Sequence, residues 1–171
     1  MFVLGIDPGL SRCGYAAVDA SGSQPVCTAL GVLTTRPSDP LPRRLAELRG
    51  ELHRLIAELT PDVVVVEHVF FQVNVRTAMS VGQASGLALA EAASVGCEVV
   101  QYTPNQVKQS VAGWGAAGKE QVQRMVQVRL GLASPPRPAD AADAAALALC
   151  HLAMAPMRAR LDAALQKAGW R

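Results

Sequence analysis

The sequence predicts an α/β fold: a mixed five-stranded sheet flanked by helices on both faces. Three features of the 171-residue chain point to it. Residues 1–35 hold three short apolar runs joined by tight turns, the mark of an antiparallel meander. After them, runs of strand length alternate with segments of helix length, the mark of parallel strands joined by crossovers. The run DVVVVE at residues 62–67 has four consecutive valines between its acids, as in a strand covered on both faces.

Residues 1–9 read MFVLGIDPG. Phe2, Val3, Leu4 and Ile6 make the first strand, Asp7 ends it, and Pro8-Gly9 turns the chain. A carboxylate is thus carried on a rigid strand and presented where the chain leaves the sheet. Open α/β sheets gather their ligands at that edge. After a turn at residues 8–14, a second strand is expected over 15–20 and a third, rich in β-branched residues, over 26–35. Residues 36–42 form a proline-rich loop.

The clearest helix spans residues 43–59, where Leu45, Leu48, Leu52, Leu55, Ile56 and Leu59 recur at steps of three and four. Thr60-Pro61 stops it. The valine strand follows, parallel to an earlier one after a right-handed crossover. Residues 69–75 read as a loop or helix entry carrying Phe70, Phe71 and Asn74. A helix over 77–95 is rich in small residues. Its Gly82 and Gly86 weaken helix propensity, which suits close packing. A fifth strand is expected at 98–102 and a short helix at 104–111. Gly113-Trp114-Gly115 breaks the chain, and another helix covers 119–130. Three prolines mark a linker at 133–139, a last helix covers 140–155, and a basic tail ends the chain. One domain over residues 1–155, then a tail at 156–171, is the organisation this implies.

Half the residues are hydrophobic and 18% are charged, so the chain should fold. Its net charge of +2 matters less than its distribution. Setting several acids aside in one site leaves a basic remainder that suits a polyanion, although an ordinary mixed surface fits the same count. Cys13, Cys27, Cys97 and Cys150 lie scattered, as do His53, His68 and His151. Reduced core cysteines in a cytoplasmic protein are expected, and no zinc site. No stretch is apolar enough to span a membrane, and no basic segment precedes the first apolar run.

Glu67 stands to its strand as Asp7 stands to the first. If those strands are parallel neighbours, the two carboxylates repel, and either a proton or a cation must relieve them. Hard oxygen ligands select Mg²⁺ or Mn²⁺ over zinc. Asp140 and Asp143 sit three apart, on one face of a helix start. On local sequence alone, an N-cap followed by an acid three residues later describes this pair better than ligands do. Four such carboxylates would hold two metals ~4 Å apart, a clamp for the attacking and leaving oxygens of a phosphodiester.

Taken in order, GIDPG at residues 5–9, VVVVEHVFF at 63–71, GQASG at 82–86, QVKQSVAGWGAAGKEQVQRMV at 106–126 and DAADAAALALCH at 140–151 closely resemble the RuvC family of bacterial Holliday junction resolvases. The resemblance implies an RNase H-like fold in a cytoplasmic homodimer that nicks two strands of a four-way junction symmetrically. It also implies two Mg²⁺ per subunit, Mn²⁺ as a substitute, and work alongside the RuvA and RuvB branch-migration proteins. Matched residue by residue, the family's catalytic and metal-holding acids fall on Asp7, Glu67, Asp140 and Asp143. The third position is Asp in many members and His in some.

Lys108 and Lys119 match basic residues near the DNA, with Arg76 and Arg124 as further expected contacts. Phe70 matches an aromatic that stacks on a junction base. A solvated helix face accounts for the cations equally well, and a core plug for Phe70. The helix with Gly82 and Gly86 matches the family's dimer helix. Two other readings compete. An actin-like ATPase or sugar-kinase lobe also opens on a strand, an Asp and a Gly-rich turn. A junction binder without catalysis would keep the acids as structural groups.

Overall fold

A computed structural model describes residues 1–68 and 75–167, with backbone alone for 75–77 and 162. Its elements are β1 (Phe2–Asp7), β2 (Arg12–Asp19), β3 (Val26–Thr34), α1 (Leu41–Leu59), β4 (Val63–Glu67), α2 (Val75–Ser94), β5 (Glu98–Tyr102), α3 (Pro104–Ala112), α4 (Lys119–Arg129) and α5 (Ala139–Lys167). The sheet order is β3-β2-β1-β4-β5. The first three strands pair antiparallel, as tight turns require. β4 joins β1 in parallel, and β5 joins β4 in parallel. This is the mixed five-stranded sheet that the sequence predicts.

Alternation along the strands sorts two cores onto opposite faces. Leu4, Ile6, Val64 and Val66 face α1 and α2, where they meet Leu48, Leu52 and Ile56 and the row Ala84, Ala88 and Ala92. Val3, Val63, Val65, Val100 and Tyr102 face the other way, against Val107 and Val111 of α3, Val122 and Val126 of α4, and the stretch 144–150 of α5. Tyr102 ties β5 to α5 through a buried bond from its hydroxyl to His151 Nδ1, at 3.1 Å.

The start of α5 lies flush on the sheet. A Cβ at Gly5 would stand 2.0 Å from the Ala144 carbonyl oxygen, and one at Gly14 would stand 2.1 Å from that of Asp140. Only glycine leaves room for a helix backbone so close. Gly5 and Gly14 therefore set the height of the helix that carries Asp140 and Asp143.

Several boundaries differ from expectation. β2 begins at Arg12, not at residue 15, so Gly14 is a strand residue paired with Asp7. α1 begins at Leu41, with Pro42 in the first turn, where its missing N–H costs no bond. α5 does not stop near residue 155 but runs on through Pro156 to Lys167. Its last turns stand away from the core, with Met157, Leu161 and Leu165 exposed. Among the described residues no helix is long and apolar enough to cross a membrane.

Candidate active site

The parallel register Ile6↔Val66 sets Asp7 and Glu67 side by side, one residue further along β1 and β4. Both continue the Val3–Gly5 and Val63–Val65 rows, so both face α5. Asp143, the residue before the Ala144 contact of α5 with Gly5, joins them in a cleft of about 260 Å³. Lys108 of α3 and Lys119, the first residue of α4, line the same cleft. A reciprocal cap sets the start of α3: Thr103 Oγ1 accepts from the Gln106 N–H at 3.2 Å, and Gln106 Oε1 accepts from the Thr103 N–H at 2.8 Å.

Burial is the first cause of a large shift at Asp7, followed by repulsion from Glu67, Asp143 and Asp140. Together they raise its carboxyl to about 7, against the pull of Lys119. Glu67 is raised too, by burial and then by Asp143, while Lys108 and Lys119 oppose the shift. Two cations already engage the acids of α5. Lys119 Nζ donates to Asp143 Oδ2 at 2.6 Å. Arg12 donates to Asp140 Oδ2 through Nε at 3.0 Å and Nη2 at 2.8 Å. The Lys119 ammonium is held up by its bond to Asp143.

Asp140 is not the cap of its helix. The Pro138 carbonyl accepts the first helical bonds, from Ala141 and Ala142, and Asp140 lies inside the first turn with its side chain on Arg12. The capping-box alternative for Asp140 and Asp143 therefore fails.

Among the described residues no group of three His, Cys, Asp or Glu side chains stands ready to hold a metal. The donor set nonetheless fits a hard divalent cation: oxygen ligands only, with two raised carboxyls whose mutual repulsion a cation removes. Asp140 is not among the described residues lining the cleft. Phe70 lies outside the described residues, as does the side chain of Arg76. Arg124 is exposed on α4 and is not among the described cleft residues. His68 follows β4, and its N–H donates to the Tyr102 carbonyl at 2.8 Å. Arg12 is the site residue that sequence reasoning misses. Its signal was the row Arg12, Gly14, Ala16, which shares the α5 face once β2 is extended.

Comparison with known proteins agrees with this geometry. The family model described as Crossover junction endodeoxyribonuclease RuvC matches residues 3–151. A Crossover junction endodeoxyribonuclease RuvC from Salinispora arenicola is 51% identical over 170 residues, covering 98% of this chain and 97% of the relative. One from Natranaerobius thermophilus is 45% identical over 161 residues, covering 94% and 100%. Among solved structures, Thermus thermophilus RuvC in complex with Holliday junction substrate superposes with a TM-score of 0.86 at 38% identity, covering 92% of this chain and 96% of that one. The yeast mitochondrial Holliday junction resolvase Ydc2 shares the fold, with a TM-score of 0.66 at 15% identity.

Sheet order, helix placement and these superpositions define an RNase H-like protein of the RuvC type. Acids from β1, β4 and α5 gather at one end of this fold. The chain belongs to the RuvC family of crossover junction endodeoxyribonucleases, the Holliday junction resolvases.

Proposed function

We propose that this chain binds four-way junction DNA as a homodimer and nicks two opposed strands, with Asp7, Glu67, Asp140 and Asp143 as its catalytic acids. The carrying observation is the stacking of negative charge at Asp7, whose carboxyl rises to about 7 because burial and three other acids oppose its ionisation. A protein has little reason to keep such repulsion unless cations enter. The same four acids would hold divalent metal, two Mg²⁺ per subunit with Mn²⁺ as a substitute. Bound there, the ions would polarise the phosphodiester and lower the pKa of the attacking water.

The protein's own groups account for the rest. Asp7 and Glu67 are fixed by strand pairing and hold their oxygens in place without reorganisation. Lys108 and Lys119 bring positive charge to a cleft that must admit a phosphate among carboxylates. Arg12 holds Asp140 by one oxygen, Oδ2. Arg76, Arg124 and Phe70 are further contacts to the junction arms. A homodimer suits a substrate of two-fold symmetry, because matched cuts need matched sites. Cytoplasmic work alongside the RuvA and RuvB branch-migration proteins completes the reading.

A labelled junction with a mobile core tests it. Asp7→Asn should reduce cutting in Mg²⁺ by roughly three orders of magnitude or more, while junction binding in Ca²⁺ persists. Near-normal cutting by this variant would remove Asp7 from catalysis. Full binding by the unaltered protein, with no cutting in Mg²⁺ or Mn²⁺ on any core sequence, would favour a non-catalytic binder.

A further inference from the structure

Between α3 and α4 the chain passes through Gly113-Trp114-Gly115, and Trp114 is 61% exposed. The loop is braced. The Gly113 N–H donates to the Gln109 carbonyl at 3.0 Å, and Gln109 Nε2 donates back to the Gly113 carbonyl at 3.0 Å. The Trp114 carbonyl accepts from the Ala117 N–H at 3.1 Å. The indole is thus presented by fixed backbone but contributes little to the core. Its two flanking helices are those that carry Lys108 and Lys119 to the acids.

Gly115, the next residue, lines a second and larger cleft of about 810 Å³, with Asn105, Lys108, Gln109 and Met154. Lys108 lines both clefts, so this one opens sideways from the acids along α3. Among its described lining residues Lys108 is the single cation, and amides and apolar atoms make up much of the rest. A phosphate track would be lined by Arg and Lys. Trp114 is not among the described lining residues and adjoins the cleft through Gly115; amides and a neighbouring exposed aromatic are the groups that meet a base, through its polar edge and its flat face. With Gln109 Nε2 engaged by Gly113, its Oε1 remains as an acceptor.

We propose that this cleft and Trp114 seat an unpaired nucleotide of the junction beside the phosphate being cut. Its base stacks on the indole, and its edge meets the amides of Asn105 and Gln109. The proposal rests on the nuclease reading above and adds a base-binding subsite to it.

Trp114 and Trp170 are the chain's two tryptophans, so Trp170→Phe leaves Trp114 as the sole indole. In Ca²⁺ its emission should fall when a four-way junction binds, and should not change with a linear duplex. Trp114→Ala should weaken junction binding roughly tenfold, the value of one base–aromatic stack. It should leave duplex affinity and the salt dependence of binding unchanged, because no charge is lost. Trp114→Phe should restore most of the affinity. Unchanged emission with unchanged junction affinity would overturn the proposal, as would an equal loss on duplex. Failure of the unaltered protein to cut in Mg²⁺ would instead count against the nuclease reading, and the Ca²⁺ binding result would still decide this one.

Discussion

Asp7 shows how a single residue can be held against its own chemistry. Its ordinary carboxyl value is 3.8, and the fold raises it to about 7. Between roughly pH 4 and 7 the folded chain therefore keeps a proton that the unfolded chain has lost. Stability tied to the protonated form is complete below the ordinary value and drains away as pH rises through 7. Asp7→Asn, neutral at every pH, should make the metal-free protein more stable at pH 8 by roughly 2–4 kcal/mol and leave it unchanged near pH 3.5. Thermal melts in chelator at both pH values check this. An equal effect at the two would mean that the carboxyl is solvated. Arg12 and Lys119 act at the same scale. Each neutralises one acid of α5 through a half-exposed pair, so their weight is in placing Asp140 and Asp143 more than in stability.

At the scale of elements, the docking of α5 onto β1 and β2 decides whether the acids meet. Gly5→Ala would drive a methyl group into the Ala144 carbonyl, backbone that cannot step aside. It should destabilise the protein by roughly 1–3 kcal/mol or more. Gly50→Ala in α1, with nothing within 4 Å, should stabilise by about 0.5–1 kcal/mol. Urea titration of the two variants gives the comparison, and similar effects would refute the flush contact.

The same contact explains what the sequence could and could not reveal. Glycine in a strand reads locally as a turn, so the sequence places the start of β2 after Gly14 and leaves Arg12 in the turn. The reason for Gly14 is a helix more than a hundred residues away, which no local pattern encodes. The strand ends carrying Asp7 and Glu67 were legible because apolar runs closed by an acid announce themselves. The pair on α5 was not, because ligands and caps share one spacing. The family resemblance favours the site reading, and the Pro138 carbonyl, in the place of the cap, removes the capping one. Proline marked the end of the last helix in the sequence, yet at Pro156 the helix loses one backbone bond and continues.

At the scale of the molecule, the sheet divides labour between its faces. The α1–α2 side packs an apolar core, with Glu91 buried under Arg49 and His53. The α3–α5 side carries the described acids and lysines of the site. In the proposed homodimer, the site of each subunit makes its own cut. Mixed dimers with a single Asp7→Asn subunit should therefore nick one strand of a junction and leave its opposite intact. Denaturing gels on a junction labelled in both candidate strands read this out. Paired cuts from the mixed dimers would mean that one subunit suffices.

The helix that delivers Asp140 and Asp143 also fills much of one core, with the stretch 144–150 almost wholly buried. Such a helix has no hinge between its working end and its structural middle. Backbone amides in that stretch exchange with solvent only when the molecule opens globally. Heat cannot loosen this half of the site in advance of the fold. Loss of cutting and loss of helical signal should therefore coincide when both are followed through one heating curve, and cutting lost well below the melt would refute the coupling.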